Sequence, residues 1–260
     1  ENGHTDVVRM LLDANVTGAE HRACADARDS ISLRVAARQG HIDVARMLLD
    51  PAVTGAKHRA WADAEDSEAL CMAAENGHTD IARMLIDPAV AGEEHCAVAD
   101  ANECDALIQA VQNGHADIVR MLIDPSITGK EHCAWADTEN SSVLYQAASN
   151  GHADIVRMLV DPVLTGEEHR ACADASDSDA LRVAAEMGHV DIVRMLLDPD
   201  VTGEGHRARA DADDSVALWV AADYGHVDIV RLLLDPAVTG LEHRAKANAG
   251  NNRALLAAKN

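Results

Sequence analysis

The chain has 260 residues, a quarter of them charged, a net charge of −22 and only 2% aromatic residues, none of them Phe. So acidic a chain repels phosphate backbones and anionic lipid, which excludes nucleic acid and membrane surfaces as partners and leaves a protein that is basic or apolar at the contact. No apolar run is long enough to span a bilayer, and no charged-then-apolar leader stands at the start, although a chain that opens inside a repeat can have lost one. The six cysteines fall at scattered positions without framework or paired-metal spacing, which favours free thiols and a reducing, cytoplasmic setting.

A Gly-His pair begins at Gly3, Gly40, Gly77, Gly114, Gly151, Gly188 and Gly225, in steps of 37 residues. Counting each repeat from its Gly as position 1, fourteen of the sixteen glycines lie at positions 1 and 16. All fourteen histidines lie at positions 2 and 19, and all six prolines at position 12. A period of this length predicts a stacked array whose repeats touch only their neighbours, so the expectation is one array over residues 1–260 with no internal boundary.

Within one repeat, Ile192, Val193, Met195, Leu196 and Leu197 cover one face of a helix, and Asp191, Arg194 and Asp198 fall opposite them. Pro199 ends this helix. The stretch from Asp200 to Asp214 is expected to be an extended loop or finger; the alternative is a short helix capped by runs such as Thr165-Gly166-Glu167-Glu168. Ser178, repeated as Ser30, Ser67, Ser141 and Ser215, is expected to N-cap the next helix, in which Leu181, Ala184 and Ala185 allow close packing. The repeat is then helix, short turn through Met187-Gly188, helix, long loop. Seven of them predict an all-α solenoid of stacked helix-turn-helix units.

At Ala184-Ala185-Glu186-Met187-Gly188-His189-Val190-Asp191-Ile192-Val193-Arg194-Met195-Leu196-Leu197 the chain resembles the ankyrin-repeat family, whose core reads A-A-x-x-G-H-x-x-I-V-x-x-L-L. Two features depart from the family. Its T-P-L-H signature is reduced to forms such as Asp179-Ala180-Leu181-Arg182, and the period exceeds the typical ~33 residues, the surplus lying between Pro199 and Ser215. HEAT and armadillo units are the runner-up folds. The resemblance implies a non-catalytic scaffold that binds another protein through the first helices and finger tips.

Comparison among the repeats points to the same surface. Positions 29, 32, 33 and 36 of the first helix and position 22 of the loop vary, and every aromatic residue falls at a variable position. Trp61, Trp135, Tyr145, Trp219 and Tyr224, with Arg34, Arg182 and Arg209, are therefore the candidate partner-binding residues, since aromatics beside Arg have the composition of interface anchors. At the two ends, Val7, Val8, Leu11, Leu12, Leu255 and Leu256 would expose apolar surface. Either the chain is an excerpt of a longer array, or its half-repeats meet end to end and build a filament.

No catalytic set interrupts the repeat, so a non-enzyme without cofactor is expected. The histidines are taken as structural and no metal site is expected, because equivalent residues of stacked repeats stand roughly 8–10 Å apart. The acidic loops lack the glycine and distal glutamate of an EF-hand, leaving only weak Ca²⁺ binding open.

Overall fold

The computed structural model describes residues 4–18, 20–203 and 205–258, without the side chain of Glu139. Gly3 of the first Gly-His pair and residues 1–2 and 259–260 lie outside the described residues. All regular structure among the described residues is helical, and the chain gathers into two bodies, residues 1–134 and 135–260.

In the first body the longer helices Ala27–Gln39, Ala64–Glu75 and Ala101–Gln112 pack side by side. Each is joined by a tight turn to a shorter helix, Ile42–Leu49, Thr79–Ile86 and Ala116–Ile123, with Thr5–Leu12 ahead of them. The second body has the same plan. Its longer helices are Thr138–Asn150, Ala175–Met187, Ala212–Asp223 and Ala249–Ala257, and its shorter ones Ala153–Leu159, Val190–Leu197 and Val227–Leu234. The pattern read from sequence accounts for both rows. Leu181, Ala184 and Ala185 are fully buried, their small side chains letting neighbouring helices approach. Ile192, Val193, Met195, Leu196 and Leu197 are buried on one face of the shorter helix, each large aliphatic side chain contributing about 1.5–3 kcal/mol.

The Gly-His pair locks one repeat to the next. Gly40 takes the left-handed conformation (φ 74°, ψ 22°) that ends the helix before it. A Cβ there would stand 2.6 Å from Cε1 of His78, which lies over it from the following repeat. His78 Nε2–H donates to the Arg38 carbonyl at 3.2 Å, and His115 does the same to Glu75 at 3.2 Å. In the second body His189 and His226 reach the Ser149 and Glu186 carbonyls at 3.2 and 3.0 Å. These histidines close the open carbonyl end of the helix in the preceding repeat.

Two expectations are corrected. The long connection is not extended from its start, because Pro199 ends one helix and also begins a four-residue helical turn, Pro199–Thr202. Asp198 stays extended (φ −86°, ψ 113°) and its side chain accepts from the Asp200 N–H at 2.9 Å, so Asp-Pro acts as N-cap and first helical residue. The run Thr165-Gly166-Glu167-Glu168 does not cap a following helix; the helical turn Pro162–Thr165 ends at its first residue. Thr165 closes it, its hydroxyl donating to the Asp161 carbonyl at 2.9 Å.

The second correction concerns the serines. Ser178 is the last residue before regular helical backbone, but its hydroxyl makes no cap bond. It closes a left-handed run of Ser176, Asp177 and Ser178 with φ of 50–64°, and its Oγ accepts from the Arg209 N–H at 2.9 Å. Ser30 Oγ accepts from Trp61 N–H in the same way, Ser67 from Val98, Ser141 from Cys172 and Ser215 from Lys246, at 2.8–3.0 Å. All five serines are buried. Each holds the finger of the following repeat, a partner 31 residues away in sequence.

Candidate partner-binding surface

The finger aims its variable residue outward by strand-like alternation. Ala60 and Ala62 are fully buried while Trp61 between them is 40% exposed, and Ala171 and Ala173 flank Cys172 in the same way. Backbone bonds hold this register, with Ala60 N–H donating to the Leu48 carbonyl and Ala62 N–H to the His95 carbonyl, both at 3.0 Å. The residue at position 22 therefore stands over the histidine at position 19 of the next repeat.

Where position 22 is tryptophan, the two rings stack. Trp61 lies on His95 with centroids 4.9 Å apart and planes 13° from parallel, and Trp135, 44% exposed, lies on His169 at 5.1 Å and 7°. Both indoles are thus partly exposed and held in one orientation, which lowers the ordering cost of docking onto them. Arg209 occupies the same position in a later repeat and pairs with Asp211 at 3.6 Å.

The first-helix candidates are engaged with neighbouring repeats. Arg34 forms an ion pair with Glu68, the Cys71 thiol donates to Asp105 at 3.3 Å, and the Arg253 guanidinium sits 3.8 Å from the centre of the half-buried Trp219 ring. In each of these three contacts position 32 of one repeat meets position 29 of the next. Tyr145 and Arg182 are brought together, the guanidinium 6.0 Å from the ring centre. Arg182 also binds Glu186 at 3.0 Å, and its hydrogen bond to Asp179 above all raises its pKa and keeps it charged. Tyr224 is 60% exposed and lies near its own neighbour His226, with centroids 6.2 Å apart.

Apart from Tyr145 with Arg182, each candidate meets a residue outside the candidate set: His95, His169, Arg253, Glu68, Asp211 or, for Tyr224, its near neighbour His226. The signal for the first-helix pairs was present in the sequence as opposite charges spaced 34 residues apart, as at Arg34 and Glu68. Burial disfavours ionising the Cys71 thiol, and with Asp105 beside it pushes the pKa up to about 12. Of the end residues, Val7, Leu11, Leu255 and Leu256 are 51–58% exposed. Leu12 is a correction: at 2% exposure it belongs to the core of the first body, and Val8 is half-buried.

A sequence profile described as ankyrin repeats (3 copies) matches residues 52–134, 127–204 and 166–246, which together span most of the chain. Among solved structures, the human ASB11 ankyrin repeat domain is similar at 20% identity with a TM-score of 0.53, over 86% of this chain and 96% of that one. An ankyrin repeat domain from Acinetobacter baumannii aligns at 22% identity with a TM-score of 0.49, over 78% of this chain and 96% of that one. A comparison with curated proteins finds no match. No helix among the described residues is long and apolar enough to cross a membrane. Ankyrin repeats are generally protein–protein interaction modules, and by the span of its profile matches this chain belongs to the ankyrin-repeat family.

Proposed function

We propose that the protein is a non-catalytic scaffold that binds a partner protein through its finger tips and the adjoining first-helix residues. The observation that carries this reading is the pair Trp61 and Trp135, each partly exposed and each fixed flat on a histidine of the next repeat. Part of each indole is covered by its histidine, but 40–44% of it stays open to solvent in a fixed orientation, and rigid aromatics are common energetic anchors of interfaces. Arg209, Tyr145, Tyr224 and Trp219 extend the surface, while Arg34 and Arg182, tied up in ion pairs, shape it. The net charge of −22 steers a basic partner toward it.

With a partner identified by cross-linking, Trp61→Ala and Trp135→Ala are each expected to weaken binding by ~2 kcal/mol, about thirtyfold, with circular dichroism showing that both variants remain folded. Unaltered affinity in the double variant sinks the proposal. A second reading, self-association through exposed apolar faces, is favoured by Val7 and Leu11 and by Leu255 and Leu256. It predicts growth with concentration in sedimentation that Leu11→Asp or Leu256→Asp abolishes and that ignores Trp135.

A further inference from the structure

An aspartate at position 24 faces the histidine of the next repeat again and again. Asp26–His58, Asp63–His95 and Asp100–His132 in the first body, and Asp137–His169 and Asp211–His243 in the second, place a carboxylate oxygen 3.5–3.8 Å from the imidazole Nδ1. That is too long for a direct hydrogen bond. At Asp63 and His95 both facing atoms are buried without a hydrogen-bond partner. What differs among the repeats is the residue two places before the aspartate. Trp61 and Trp135 cover their pairs with a ring, and Arg209 brings a cation to Asp211.

In two repeats that residue is cysteine, and the pair gains a third donor. Cys24, Asp26 and His58 form one cluster and Cys172, Asp174 and His206 the other, with one donor atom from each residue and all three donors within 4.8 Å of one another. In the second cluster Cys172 Sγ lies 3.2 Å from His206 Nδ1. Four-coordinate zinc, with bonds of about 2.3 Å to sulfur and 2.0–2.1 Å to nitrogen, needs a sulfur–nitrogen separation of roughly 3.6 Å. The donor separations, 3.2 Å for this pair and up to 4.8 Å across the set, bracket that spacing.

We infer that each of these clusters binds a zinc ion through one thiolate, one carboxylate oxygen and one imidazole nitrogen, with solvent in the fourth position. The donor set suits a borderline-soft divalent ion: sulfur and imidazole select against Mg²⁺ and Ca²⁺, and the carboxylate supplies charge. Both thiols are free, and Cys24 is exposed to incoming metal. Cys and Asp come from one repeat and His from the next, 34 residues after the Cys, so a bound ion ties two repeats together. No histidine at position 2 belongs to either cluster, and His78, His115, His189 and His226 spend Nε2 on carbonyls of the preceding repeat. The spacing of equivalent residues, which gives no reason to expect a metal site, does not apply here, because the donors come from three different repeat positions.

The test is titration of the full chain, stripped with chelator and kept reduced, with Co²⁺ as a coloured substitute for zinc. Two equivalents are expected, with a near-ultraviolet thiolate-to-cobalt band and visible bands of tetrahedral intensity. Cys24→Ser and Cys172→Ser should each remove one equivalent, the double variant both, and the control Cys71→Ser neither. Zinc should raise the thermal midpoint of the wild type and leave that of the double variant unmoved, with circular dichroism showing that all variants are folded. A wild type that develops no thiolate band, or a band that survives in the double variant, overturns the inference.

Discussion

Single side chains in this protein mostly face the next repeat. Ser178 is the clearest case, because its buried hydroxyl is the acceptor of the Arg209 N–H. Ser178→Ala leaves that N–H unpaired and is expected to cost ~1–3 kcal/mol in urea unfolding. A loss typical of an exposed serine, within ~0.5 kcal/mol, would show that the bond is not formed. Cys71 offers a chemical check. Its thiolate is disfavoured by burial first and then by Asp105, Glu75 and Glu68, which places its pKa at about 12 against 9.0 for an ordinary thiol. At pH 7.5 in metal-free buffer, alkylation followed by peptide mass spectrometry should find Cys71 modified far more slowly than exposed Cys24. The folded state holds this proton more tightly than the unfolded one, so the stabilising contribution is complete below pH 9 and is lost as pH climbs toward 12. Equal alkylation rates would contradict the packing around Cys71.

At the scale of the element, the left-handed run within the first turn of the longer helices is the costly feature. Arg28, Asp29 and Ser30 have φ of 52–57°, a conformation that costs a residue with a Cβ roughly 1–2 kcal/mol. Arg28→Gly removes that strain and adds about 0.5–1 kcal/mol of chain entropy to lose, so a net gain of ~0.5–1 kcal/mol is expected in chemical denaturation. Ser30 has to stay, since its Oγ holds Trp61. A destabilised Arg28→Gly would mean that this turn is not left-handed.

The helices themselves were legible because Ile192, Val193, Met195, Leu196 and Leu197 repeat a face, and Gly188 marks the turn between rows. Pro199 ends one helix and, with Asp198 before it, also carries the signature of a helix start, so the sequence alone leaves its second role ambiguous. The Ser178 bond, the Trp61–His95 stack and the Cys172–His206 contact were not legible. They depend on which positions of adjacent repeats face each other, and a period states only how often residues recur.

At the scale of the molecule, the same contacts recur within each body, so what varies is what the fingers and first helices display. Trp61 and Trp135 are displayed rigidly, and the proposed function stands on them. The excess of negative charge works against compactness, and screening it should raise the thermal midpoint as salt increases to ~0.15 M. A falling midpoint would place the dominant charge effect in the ion pairs between repeats instead. The most direct test of the central claim is photo-cross-linking in cells of the source organism. A photoreactive amino acid would replace Trp61 or Trp135 in turn and, as controls, the exposed Arg194 or Arg231 of the shorter helices. The account predicts the same discrete partner captured from positions 61 and 135 and absent from 194 and 231. Capture from the shorter helices alone, or equally from all four positions, would contradict it.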